Sequence, residues 1–267
     1  MTPEPAPAVA DLRVPESLQK RRAITPTSTD AYFFERYLRQ RPEMRAILDA
    51  GGLKGLETVV DFGGHVGGWA WVMAESCQHV TVLAVDQNIL ASGADFARDN
   101  GLDAVDFVEI STEALAAVPP LDGVLCVGTL QVMNHAEIRQ FLQFAQGKLR
   151  PGGRLLCNTA SPRMLLDWTL RLRRVRVDGW LGQLSWAYTL VRALGQRRVA
   201  HDDRQTYCLR PAALIRTVEE HGFRLTRAPR ELRSLPVFRE WELSSGYESP
   251  ALLPYYDWYV FERTAAS

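Results

Sequence analysis

Between Thr58 and Asn158 the chain alternates short apolar runs with amphipathic segments, and this rhythm limits the fold more than any other feature. The apolar runs are Thr58–Phe62, Val80–Val85, Val105–Glu109, Gly123–Val127 and Arg154–Asn158. A strand exposed on one face alternates apolar with polar residues, whereas a near-continuous apolar run marks a strand covered on both faces. The intervening stretches predict helices over Gly67–Ser76, Ile89–Asn100 and Ala136–Leu149, with a short helical turn at Thr112–Ala117. Strand and helix in strict alternation imply a mostly parallel sheet with helices on both sides, an α/β fold.

The flanks extend this plan. Apolar residues at helical spacing (Tyr32, Phe33, Leu38, Ile47, Leu48) predict a helical cover over residues 30–55, with Pro42 marking a break between two helices. After the fifth run the rhythm stops. Residues 161–209 are rich in Arg and Trp, show no clean strand and read as a helical insertion. Then Pro211–His221 predicts a helix with Pro at its start and Gly222 as its stop. Strands follow at Phe223–Arg227 and Trp258–Glu262, bringing the expected sheet to seven. Residues 30–267 read as a single domain, preceded by a flexible tail over 1–29.

Lys plus Arg and Asp plus Glu both number 31, so overall charge selects no partner class, and nucleic acid is disfavoured. Met1–Val14 has no basic start followed by an apolar run and reads as a tail, not a signal peptide. No stretch reaches the roughly 18 apolar residues of a membrane span. Cys77, Cys126, Cys157 and Cys208 are scattered without a paired spacing. The pattern fits reduced thiols in a cytoplasmic protein and predicts no metal site.

The first strand runs into Asp61-Phe62-Gly63-Gly64-His65-Val66-Gly67-Gly68. Glycines there permit a sharp turn and a close approach to the backbone, and the helix that follows presents free N–H groups. His65 occupies the middle glycine of a dinucleotide fingerprint, which disfavours a nicotinamide or flavin site. The second strand ends in Asp86, an acid placed to accept two ribose hydroxyls. Leu149-Arg150-Pro151-Gly152-Gly153 forms a turn into the fifth strand.

In order and spacing these elements resemble the class I, Rossmann-like family of S-adenosylmethionine-dependent methyltransferases. The resemblance covers roughly Leu56 to Asn158. It implies S-adenosyl-L-methionine as cofactor, with Gly63, Gly64, His65 and Gly67 lining its methionine end and Asp61 orienting that end. It further implies that Asp86 holds the ribose, with Gln87 beside it near the adenine. Ser111 and Thr112 fall where the family often has an acid facing the adenine. Val127 and Gly128 would border the methyl-transfer face. His65 and Ser111 depart from the family's usual glycine and acid. Aminopropyltransferases share the fold but carry an acid after the fourth strand, where this chain has Val127-Gly128-Thr129-Leu130.

Methyl transfer needs an aligned nucleophile and, for a hydroxyl, a base. The candidate bases are His135, after Asn134 beyond the fourth strand, and His201 in the insertion. The competing role for His135 is an exposed position in a helix that Asn134 caps. From Arg163 to Arg210 there are ten Arg and no Lys against four Asp, a local excess of six positive charges. Arg suits bidentate contact with phosphate or carboxylate. The expected substrate is therefore a small, acidic or carrier-linked metabolite methylated on oxygen or nitrogen. Two alternatives stand beside it. One is a methyltransferase for a lipid-linked or cell-envelope glycan, held to an anionic membrane surface by the Arg-rich insertion. The other is a catalytically divergent binding or scaffold protein. The apolar residues interleaved with the arginines also suit docking onto the core or onto a second subunit in a homodimer.

Overall fold

The computed structural model describes residues 40–160, 198–201, 204–207, 211–228 and 256–265. The helices are α1 (Arg41–Ala50), α2 (Gly68–Met73), α3 (Gln87–Asp99), α4 (Thr112–Ala117), α5 (His135–Lys148) and α6 (Pro211–Glu220). The strands are β1 (Thr58–Phe62), β2 (His79–Ala84), β3 (Val105–Glu109), β4 (Leu121–Cys126), β5 (Leu149–Ala160), β6 (Arg198–His201), β7 (Arg204–Tyr207), β8 (Phe223–Arg227) and β9 (Tyr256–Arg263). Seven of them form one sheet in the order β3-β2-β1-β4-β5-β9-β8. β1 to β5 pair in parallel, and β9 runs antiparallel between β5 and β8. The expected seven-strand, mostly parallel α/β sheet is what the chain forms.

The apolar runs are continuous because successive residues serve opposite faces. On one face Val59, Val82, Leu125, Leu156 and Trp258 pack with Met44, Ile47, Trp69, Trp71 and Phe96 of α1, α2 and α3. On the other, Val60, Leu83, Val124, Leu155 and Tyr259 pack with Ile138, Phe141 and Leu142 of α5 and Val218 of α6. Rings interlock within these layers: Trp71 stacks on Phe96 with centroids 3.9 Å apart, and Phe62 meets Phe141 at 4.7 Å. Each fully buried large apolar side chain contributes about 1.5–3 kcal/mol, so this two-sided core dominates stability.

Several boundaries differ from expectation. Pro42 lies in the first turn of α1, where its missing N–H costs nothing, and the helix expected before it lies outside the described residues. α1 docks on the end of α2 through Arg41 and Arg45, both paired with Glu75; the Arg45 contact is 2.5 Å. α2 is shorter than expected: Glu75 and Ser76 donate three residues back, to Val72 O and Met73 O at 3.4 and 3.0 Å, so the last turn tightens before the chain turns toward β2. The Pro-Gly-Gly turn is absorbed into β5 as an irregularity, with Leu121 opposite Leu149 but Gly123 opposite Arg154.

The insertion is corrected where it can be followed. Its described part is a two-stranded antiparallel ladder, β6 with β7, where residues 161–209 read as helical without a strand. The sequence Arg198–Tyr207 lacks the apolar alternation of a half-buried strand, so periodicity gave no signal there. The rest of 161–209, like residues 1–39, lies outside the described residues.

Candidate functional site

The loop after β1 stands where the sheet order reverses, with β2 and β3 on one side and β4 and β5 on the other. Open α/β sheets bind ligands at such switch points, beyond the carboxyl ends of the strands. Asp61 is 1% exposed. Its carboxylate accepts a hydrogen bond from the Ala70 backbone, in the first turn of α2. The N-cap of α2, Gly67, has φ 85° and no side chain with which to cap it. Burial nevertheless pushes the Asp61 carboxyl up to about 7, because the desolvated charge outweighs that single hydrogen bond. Its Oδ2 has no partner among the described residues.

The loop is held tightly. Leu83 O accepts the N–H groups of Gly63 and Gly64 at 2.7 and 3.3 Å. Gly63 has φ 76°, and a Cβ there would lie 2.3 Å from Thr129 Oγ1. At Gly64 a Cβ would lie 2.5 Å from Asp61 Cγ. These glycines are therefore required by the protein's own packing. His65 has φ 56°, the left-handed region, where it stands among the non-glycine residue types that enter most readily. The departure at the middle glycine thus keeps the backbone conformation.

The second rim comprises Asp86, Gln87, Glu109 and Ser111. Asp86 caps α3, its Oδ1 accepting from Asn88 N at 2.9 Å and Ile89 N at 3.3 Å. The side chain is exposed and has further lone pairs to offer. Gln87 donates from Nε2 to Glu109 Oε2 at the end of β3, bridging two strand tips. Ser111 caps α4 by accepting from Ala114 N at 3.1 Å, and Thr112 opens that helix. The third rim follows β4. Val127, Gly128 and Thr129 are half-buried, and Gly128 (φ 68°) donates its N–H to Asn158 Oδ1 at 2.6 Å. Asn158 is fully buried at the end of β5, and its Nδ2 has no partner among the described residues.

The two candidate bases fall differently. His135 begins α5, exposed, behind a capping box: Asn134 Oδ1 accepts from Glu137 N at 3.0 Å while Glu137 Oε2 accepts from Asn134 N at 2.7 Å. His201 ends β6, opposite Arg204, and its side chain lies outside the described part. Sequence reasoning missed Glu109, Thr129 and Asn158. Glu109 was legible as an acid at a strand tip, but nothing in the sequence links Thr129 to Gly63 or Asn158 to Gly128. Among the described residues no group of three or more His, Cys, Asp and Glu is placed to hold a metal, and no helix is long and apolar enough to cross a membrane.

Known proteins are similar in part of the sequence and in fold. Residues 59–153 match a family described as a methyltransferase domain. A ubiquinone/menaquinone biosynthesis C-methyltransferase, UbiE, of Methylobacterium nodulans is 38% identical over 81 residues, 30% of this chain and 31% of that protein. The match thus spans about a third of the relative's length. Among solved structures, an O-methyltransferase family protein from Burkholderia thailandensis is similar at TM-score 0.56 and 15% identity, over 93% of this chain and 63% of that one. The magnesium protoporphyrin IX methyltransferase ChlM of Synechocystis PCC 6803, solved with bound SAH, is similar at TM-score 0.53 and 16% identity, over 85% and 83%. At such identities the structures speak for the fold, and the matched domain coincides with β1 through the turn into β5. The glycine loop at the switch point, the buried Asp61 below it and the acid at the tip of β2 all lie within or beside the stretch 59–153 that matches a methyltransferase domain, set in a Rossmann-like α/β fold.

Proposed function

We propose that this protein transfers a methyl group from S-adenosylmethionine to an oxygen or nitrogen of a small acidic or carrier-linked acceptor. The observation that carries the reading is Asp61: a buried carboxyl with one oxygen unpartnered among the described residues, beneath a glycine loop at the switch point. Such a group suits a cationic ligand, whose charge offsets the cost of ionising the carboxyl. The fit extends along the strand tips. Asp86 retains lone pairs for ribose hydroxyls, Gln87 and Glu109 border the adenine side, and Val127 and Gly128 border the acceptor side. When bound, the cofactor supplies a methyl group already activated on a positively charged sulfur. The chain's own residues then have to orient the two reactants and exclude water. The preference for an acidic acceptor rests on the arginine excess between Arg163 and Arg210.

Calorimetric titration with S-adenosylmethionine and, separately, S-adenosylhomocysteine tests the reading. Micromolar binding of both is expected, followed by release of S-adenosylhomocysteine when acidic acceptors are supplied. A folded sample that binds neither would overturn the assignment in favour of a scaffold role.

A further inference from the structure

A chain of contacts links the fifth strand to the glycine loop. Asn158 is fully buried, and because Gly128 offers an N–H, the atom facing it must be the amide oxygen. That 2.6 Å bond fixes Gly128 at φ 68° and sets the direction of the next residue, Thr129. Thr129 donates from Oγ1 to Val127 O at 3.1 Å, which locks its rotamer. Its side chain then fills the space at Gly63: a Cβ on Gly63 would lie 2.3, 2.5 and 2.9 Å from Thr129 Oγ1, Cγ2 and Cβ. Those three atoms are the nearest to that position once the chain neighbours of Gly63 are set aside. The glycine loop is anchored from one side by Leu83 O and braced from the other by Thr129.

We infer that Asn158 and Thr129 are positioning residues: through Gly128 they brace the left-handed turn at Gly63 and so preset the loop for its ligand. Neither needs to touch the cofactor. The inference rests on the reading that this loop holds S-adenosylmethionine. It explains why the buried run Leu155-Leu156-Cys157 of β5 continues into an amide, where Leu would pack without a hydrogen-bonding demand. It also couples the acceptor side of the site, at β4 and β5, to the cofactor side at β1.

The test compares the wild-type chain with Asn158→Leu, Asn158→Asp and Thr129→Ala. A buried Asp is held protonated and keeps an acceptor for the Gly128 N–H, whereas Leu of similar size keeps none. Affinity for S-adenosylhomocysteine is read by calorimetry well below each variant's melting temperature. Asn158→Leu should weaken it by about tenfold, the equivalent of one buried hydrogen bond, and Asn158→Asp should recover most of that loss. Combining Asn158→Leu with Thr129→Ala should weaken binding by less than the product of the single effects, because both act on one brace. Amide exchange in the ligand-free protein gives a second readout. Gly63 and Gly64 should exchange faster in Asn158→Leu while Val60 and Leu125 do not. If wild type binds and Asn158→Leu binds equally well, with unchanged exchange at Gly63, the inference falls and the cofactor reading stands. Wild type failing to bind, with exchange coupled as described, removes the cofactor reading and leaves the brace.

Discussion

At the scale of single residues, Asp61 sets the protein's response to pH. Its carboxyl is raised from 3.8 to about 7 in the folded chain, so between those values the native state keeps a proton that the unfolded state releases. The native state then binds more protons than the unfolded one, and stability must fall as pH rises through that window. Across about three pH units the contribution is on the order of 4 kcal/mol. Urea unfolding of wild type and Asp61→Asn at pH 5 and pH 8 checks this. The variant should gain on wild type at pH 8 and show little difference at pH 5, whereas parallel behaviour at both would refute it. A cationic ligand reverses the preference, so S-adenosylmethionine should bind more weakly at pH 5.5 than at pH 7.5. His65 makes a second case. At φ 56° a β-branched residue is strained, so His65→Val should be about 1–2 kcal/mol less stable than His65→Asn in the same unfolding measurement. The departure at His65 was visible in the sequence, but its harmlessness was not, because only the backbone angle shows that His can stand in for glycine there.

Helix ends at this site do two jobs at the scale of the element. Asp86 caps α3 and is also the acid at the tip of β2. Asparagine caps as well as aspartate, whereas alanine does not. Asp86→Asn should therefore keep thermal stability yet bind S-adenosylmethionine more weakly, and Asp86→Ala should lose about 1 kcal/mol of stability as well. If Asp86→Asn binds like wild type, the ribose assignment fails. The same logic made the site only partly readable. Asp61, the glycine loop and Asp86 announce themselves by type and spacing. The family resemblance alone assigns Ser111 to the adenine side, and its hydroxyl is engaged in capping α4. Asn158 looked like the end of an apolar strand, since periodicity records which face a residue occupies and not what its amide bonds. The β6–β7 ladder escaped notice for a related reason: with few apolar residues, its only signal was the Asp202-Asp203 pair between the strands.

For the whole molecule, the parallel half of the sheet was legible because strands buried on both faces must be apolar along their length. Strand order was not in the pattern itself; the structure supplies it. The least local part is β9, whose Phe261 lies opposite Leu155 and whose Glu262 pairs with Arg154 at 2.7 Å. That ion pair joins residues 108 apart in the chain. Removing Glu262 should matter little, since partly exposed pairs contribute about 0–1 kcal/mol. Removing the apolar contacts should matter more: Phe261→Ala should cost about 3–5 kcal/mol in urea unfolding, and a loss under 1 kcal/mol would mean that β9 is not integral to the core.

The position of β9 also bears on the order in which the chain is made. β5 is complete long before β9 leaves the ribosome. At roughly 5–20 residues per second, synthesis of the intervening residues 161–255 takes on the order of 5–20 seconds. For that interval β5 is the outer strand of a nascent sheet, with open hydrogen-bonding groups and Leu155, Leu156 and Cys157 without the strand that later covers them. A newborn chain of this protein is therefore a template for strand pairing with its neighbours on a polysome, and its yield in cells should depend on what shields β5 during those seconds.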